Sequence, residues 1–134
     1  DAIAGSNIIM TRKQRQTAEK QGRMAEHLVA FRLRCKGWRM LQSRYRSAYG
    51  EIDLIMQKPQ RLLFVEVKYT SQTDDDALEQ ILPASRQRRR IYDTANYFLS
   101  EHPAMSLYEM RFVVALVRPY GRIRFIEDHF FDTI

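Results

Sequence analysis

At 134 residues, 45% hydrophobic and 28% charged, the chain is expected to form one compact domain with a real core. Its longest apolar runs are strand-sized, as in "RFVVALV" at 111–117, so none spans a bilayer. Lys and Arg number 22 against 16 Asp and Glu, a net charge of +6, which suits a polyanion partner.

Residues 1–14 are expected to lie outside the domain, either disordered or carried over from expression, with Met10 a candidate natural start. The opening "DAIAGSNIIM" is too short and too polar for a signal peptide. The domain is expected over 15–134, beginning with a helix over 15–36. There Ala18, Gly22, Ala25, Val29 and Leu33 recur at helical spacing as one buried face. Gly37 ends it. "WRMLQSRYR" at 38–46 reads as a strand, followed by strands at 50–57 and 61–69 about a turn at Lys58-Pro59-Gln60. The stretch 70–83 reads as an acidic loop with a short helical turn at "ALEQIL". A second helix is expected over 85–100, with Ile91, Ala95 and Phe98 inward and Pro103 beyond its end. Strands at 109–117 and 122–127 flank "PYG". The order α-β-β-β-α-β-β predicts a mixed sheet with helices packed on it.

Charge is unevenly placed. Residues 11–46 hold eleven Lys/Arg against only Glu19 and Glu26, and "RQRRR" at 86–90 holds four arginines. Arg86, Arg88, Arg89 and Arg90 are therefore candidate phosphate contacts. Solvated helix faces would look the same by charge alone. A single cysteine, Cys35, cannot form an intrachain disulfide, which suits a reducing cytoplasm.

The chemistry concentrates in "GEIDLIMQKPQRLLFVEVK" at 50–68. Strand alternation puts Ile52, Leu54 and Met56 on one face and Glu51, Asp53 and Ile55 on the other. On the next strand Leu62, Phe64, Glu66 and Lys68 share a face. If the hairpin is centred between Pro59 and Gln60, Asp53 lies opposite Glu66, and Glu51 opposite Lys68. Facing Cβ atoms are roughly 4.5–5.5 Å apart, and like charges so placed destabilise a sheet. A hard divalent cation between the two acids resolves the conflict, since Mg²⁺ takes one or two carboxylates with waters and phosphate oxygens. His27, His102 and His129 are scattered and give no zinc pattern. Glu26 is a candidate third acid if its helix packs over the hairpin. Lys68 would point at the same spot, to hold a phosphate oxygen or help deprotonate a water. Each charge alone reads better as part of an ordinary ion pair or a solvated sheet edge; the acid followed by acid-x-Lys, in register on apolar strands, favours a site.

Asp53 thirteen residues ahead of Glu66-Val67-Lys68, with Glu26 on a preceding helix, resembles the PD-(D/E)XK nuclease superfamily. "GEIDLI" at 50–55, "FVEVK" at 64–68 and the later "RF" at 111–112 resemble, more narrowly, the YraN-like family of uncharacterised bacterial proteins. The resemblance runs from about Gln16 to Ile126. It implies a restriction-endonuclease-like α/β fold, a three-layer arrangement with an α-β-β-β-α-β core, and a Mg²⁺- or Mn²⁺-dependent endonuclease close in style to Holliday-junction resolvases. It implies Asp53, Glu66 and the Val67 carbonyl as metal ligands, Lys68 as the catalytic lysine and Glu26 as the helix acid. Glu51 matches a motif position in a supporting role. Two positions depart from the pattern: Val113 stands where an aspartate is usual, and "SRQRRR" replaces a usual lysine.

Two functions follow for a cytoplasmic protein without a membrane partner. One is hydrolysis of phosphodiester bonds in DNA, branched or otherwise structured. The other is a non-catalytic nucleic-acid-binding module that keeps the nuclease fold. Analogy with junction resolvases, which cut two strands, adds a homodimer to the expectation.

Overall fold

The computed structural model describes residues 10–71 and 83–129. In chain order these form α1 (Arg12–Cys35), β1 (Arg39–Arg46), β2 (Glu51–Lys58), β3 (Arg61–Tyr69), α2 (Ser85–Glu101), β4 (Glu109–Arg118) and β5 (Arg122–Glu127). Single 3₁₀ turns follow α2 and β4, at Pro103–Met105 and Pro119–Gly121. The strands lie side by side in the order β1-β2-β3-β4-β5. All neighbours are antiparallel except β3 and β4, which run parallel. A parallel pair needs a long crossover, and α2 lies within that connection. The expected loop and helical turn at "ALEQIL" fall outside the described residues, as do residues 1–9.

Each sheet face carries one helix. Ala25, Val29, Ala30 and Leu33 of α1 pack on Leu54, Met56, Leu63, Val65, Ala115 and Val117. Ala95 and Phe98 of α2 pack on Tyr45, Ile52, Ile55, Leu62, Phe64 and Phe112, with Ile91 at the margin. Phe98 sits edge-on to Tyr45 at 5.3 Å and to Phe64 at 6.2 Å. The result is the mixed sheet with packed helices that the element order predicts, in the three-layer, restriction-endonuclease-like α/β arrangement that the resemblance implies.

Helix α1 starts at Arg12, earlier than the apolar spacing suggests, because Thr11 and Gln14 form a reciprocal capping box. Gly37 ends it at φ 94°, a conformation that glycine adopts without strain. The buried residues of this 24-residue helix are Ala25, Val29, Ala30 and Leu33, all in its second half, so its first half lies outside the core. Ala18 is therefore exposed, contrary to the buried face predicted for it.

The β2–β3 hairpin has the predicted register from Lys58↔Arg61 to Leu54↔Val65, with Gln60 in a left-handed turn conformation at φ 60°. The ladder then stops. The expected rungs Asp53–Glu66 and Glu51–Lys68 are not among the paired positions. Nor does the predicted alternation of β2 hold through this region. Leu54 and Met56 face α1, but Ile52 joins Ile55 on the α2 side.

Candidate active site

The interruption in β2 has a counterpart in β1. Ser43 pairs with Leu54 and Tyr45 with Ile52, so the register is kept, yet the rung between them, Arg44 with Asp53, is missing. Leu54 faces α1, whereas Tyr45 and Ile52 face α2. Both strands thus turn over at one rung. Arg44 takes up the turn in the left-handed region, at φ 52°. Asp53 sits at the turnover, and its Oδ2 accepts a hydrogen bond from the Val67 N–H at 2.7 Å. A side chain has replaced a strand carbonyl as the partner of β3. Burial pushes the Asp53 carboxyl up to about 6; the Val67 N–H works against this, and the charges of Glu26, Glu66 and Glu51 reinforce it.

Glu66 reaches the site from β3. Its Oε1 accepts from Gln87 Nε2 at 2.7 Å and lies 3.4 Å from Lys68 Nζ. Its Oε2 is buried without a hydrogen-bond partner among the described residues. Gln87 is the one uncharged residue of "RQRRR", and a basic-run reading passes over it. Its signal was that single break in the run.

Glu26 arrives from α1 and is engaged by Arg44, whose Nε and Nη2 each donate at 3.1 Å to one carboxylate oxygen. Glu51, at the start of β2, lies 3.5 Å from Arg46 Nε. Arg44 had no sequence signal marking it: it is one arginine among eleven basic residues in 11–46.

The four arginines of α2 divide. Arg88 Nε lies 3.2 Å from the buried Asp128 Oδ2, beyond the end of β5. Arg89 Nε is 3.4 Å from Asp93 Oδ1, one turn on, with its guanidinium over the Tyr92 ring. Arg86 and Arg90 instead line a cleft of about 500 Å³, together with Glu51, Asp53, Glu66 and Gln87. Gly50 lets this wall come close, because a Cβ there would lie 3.3 Å from Arg90 Cβ and 3.4 Å from Thr94 Oγ1. Ser47 Oγ, 3.1 Å from Thr94 Oγ1, ties the β1–β2 turn to the same helix. The cleft therefore has an acidic wall from the sheet and a basic wall from the first turns of α2.

These residues fit a hard divalent cation. Among the described residues Glu66 Oε2 is a buried acceptor without a partner, and Asp53 is a carboxylate whose charge burial opposes. A cation would relieve both. Among the described residues no three His, Cys, Asp or Glu are grouped closely enough to hold a metal by themselves. Mg²⁺ keeps waters and takes one or two protein carboxylates, a demand that a pair such as Asp53 and Glu66 matches. His102 Nδ1 is 2.8 Å from the Phe98 carbonyl at the end of α2, a capping position.

A mixed sheet between two helices, with an acid pair where its strands turn over, defines a restriction-endonuclease-like α/β protein. Residues 25–117 match the model of the Uncharacterised protein family UPF0102, and the chain belongs to that family, the YraN-like one its motifs resemble. The chain is 39% identical over 106 residues to a UPF0102 protein of Bradyrhizobium diazoefficiens, covering 79% of this chain and 77% of the relative. It is 42% identical over 106 residues to one from Bradyrhizobium sp. (strain ORS 278), covering 79% and 73%. With one from Granulibacter bethesdensis it shares 37% over 113 residues, covering 84% and 70%. Among the described residues no helix is long and apolar enough to cross a membrane.

Proposed function

We propose that this protein is a metal-dependent endonuclease acting on phosphodiester bonds in DNA, with structured or branched DNA as its substrate. One observation carries the reading: Asp53 and Glu66 face Arg86 and Arg90 across a single cleft. A phosphodiester needs cationic groups for its oxygens, and a metal-binding acid pair beside the phosphorus. Asp53, Glu66 and the Val67 carbonyl would hold Mg²⁺ or Mn²⁺. Bound there, the cation supplies Lewis acidity toward the phosphate oxygens.

The remaining work falls to the chain. Arg86 and Arg90 seat the phosphate. Gln87 fixes the Glu66 carboxylate by its hydrogen bond, leaving the other oxygen for the ion. Lys68, beside Glu66, orients the attacking water and offsets charge that develops on the phosphate as the bond to the leaving oxygen breaks. A homodimer would present two such clefts to two strands, and the free Cys35 suits a cytoplasmic protein. The competing reading is a non-catalytic nucleic-acid-binding module, which the same basic wall would serve. Incubation with Mg²⁺ or Mn²⁺ against duplex, single-stranded, flap and four-way-junction DNA separates them. Metal-dependent products support the enzyme; binding without products supports the module.

The division of the arginines gives a sharper test of binding. Replacing Arg86 and Arg90 with alanine should weaken DNA binding and flatten its salt dependence by about 0.9 log unit per lost duplex phosphate contact. Replacing Arg89, which already faces Asp93, should leave the slope nearly unchanged. Titrations at several salt concentrations check this, and an equal effect of both changes would remove the special role of the cleft wall.

A further inference from the structure

Arg44 is a bulky residue at φ 52° inside a strand, where left-handed backbone is unfavourable and persists only if its surroundings hold it. What holds it is visible. The guanidinium makes a two-point contact with both oxygens of Glu26, the geometry that an arginine fork matches best. The missing rung with Asp53 places Arg44 beside the acid of the site on the neighbouring strand. Glu51 and Asp53 both act on its charge, after the dominant hydrogen bond and charge of Glu26. Four acids, Glu26, Glu51, Asp53 and Glu66, interact electrostatically around this rung; Arg44 lies against Glu26, Lys68 against Glu66 and Arg46 against Glu51, with Arg86 and Arg90 lining the same cleft.

We propose that Arg44 is the site's internal counter-ion and positioning residue. It holds Glu26 beside Asp53 in the metal-free protein and competes electrostatically with a divalent cation for the same acids. This rests on the metal reading above, and it goes further, because it assigns a regulatory charge to a strained residue of β1. The left-handed turn is what aims the side chain at Glu26. In an ordinary extended conformation the strand would keep its alternation and the rung with Asp53 would form. Resident positive charge keeps the acid group tolerable without metal and sets how tightly metal binds.

The test is a calorimetric titration of the full chain with MnCl₂ alone, at pH 8 and low ionic strength. Arg44→Gly removes the charge and relieves the left-handed strain; Arg44→Lys keeps the charge but loses the fork. Circular dichroism establishes that each variant is folded. Arg44→Gly should bind Mn²⁺ about tenfold more tightly than wild type, an effect of removing one nearby like charge that shrinks as salt is raised. Arg44→Lys should stay within about threefold of wild type, since the charge is kept. Binding that appears only in Arg44→Gly would also support the inference. Unchanged or weaker binding in Arg44→Gly, with wild type still binding, overturns the counter-ion role and leaves the metal reading intact. Failure of both proteins to bind Mn²⁺ overturns the two together.

Discussion

Glu66→Gln should lower metal-dependent DNA cleavage by a hundredfold or more, with the fold retained. The substitution preserves shape, and its amide oxygen can still accept from Gln87. It removes the charge that would hold the ion and that faces Lys68 Nζ at 3.4 Å. Lys68→Ala should cost a similar factor, because the ammonium is the group set to offset charge on the phosphate. Gln87→Ala should be milder, about tenfold, since it frees Glu66 to rotate without removing any charge. Single-turnover cleavage with Mg²⁺ measures all three, and thermal melts establish that each is folded. Undiminished cleavage by Glu66→Gln would take the acid out of the chemistry. A graded series, with Gln87→Ala between wild type and the other two, would fit its orienting role. A merely structural Gln87 would instead lower the melting temperature without separating turnover from the folded fraction.

Much of this site is readable in the sequence because strand chemistry is local. Apolar alternation marks β2 and β3, and the turn at Pro59-Gln60 fixes their register from Lys58↔Arg61 to Leu54↔Val65. Charges that interrupt such strands stand out. The matched turnover at Arg44 and Asp53 does not, because strict alternation along each strand is the only local rule available. It depends on Tyr45 and Ile52 finding Phe98 on the far side of the sheet while Leu54 stays against α1. Ala18 was misplaced for a related reason: periodicity gives a helix its stripe, but not how far along the helix the core extends. The arginines show the same limit. Composition marks the run 86–90, yet only the docked helix decides that Arg86 and Arg90 meet the cleft while Arg88 meets Asp128.

Asp53→Asn should make the metal-free protein more stable at neutral and alkaline pH, and should remove a pH dependence that wild type shows. Burial raises the Asp53 carboxyl from 3.8 to about 6 in the folded chain. Between these values the folded state binds more protons than the unfolded state, so stability falls as pH rises. Below about 4 the carboxyl is protonated in both states, and above about 6 it is ionised in both. The full cost is therefore present at pH 8, and a shift of this size corresponds to about 3 kcal/mol. Asparagine keeps the acceptor for the Val67 N–H without the charge. The metal-free variant should then melt up to about 10 °C above wild type at pH 8 and converge with it near pH 4. Taking the difference between the two proteins at each pH cancels titration of groups distant from Asp53, leaving Asp53 and the acids coupled to it, Glu26, Glu51 and Glu66. Metal should close most of that gap. Binding to the folded state alone adds RT ln(1 + [L]/Kd), about 2.7 kcal/mol at a hundred times Kd, to wild type. The variant should lose most of that gain along with its cleavage. If the Asp53 charge is itself needed as a structural partner, in an ion pair or in its bond to the Val67 N–H, the signs invert: asparagine destabilises the metal-free protein, and Mg²⁺ or Mn²⁺ moves neither melt. Thermal melts of both proteins from pH 4 to 8, with and without metal, decide between a carboxylate kept for a cation and one kept for the sheet.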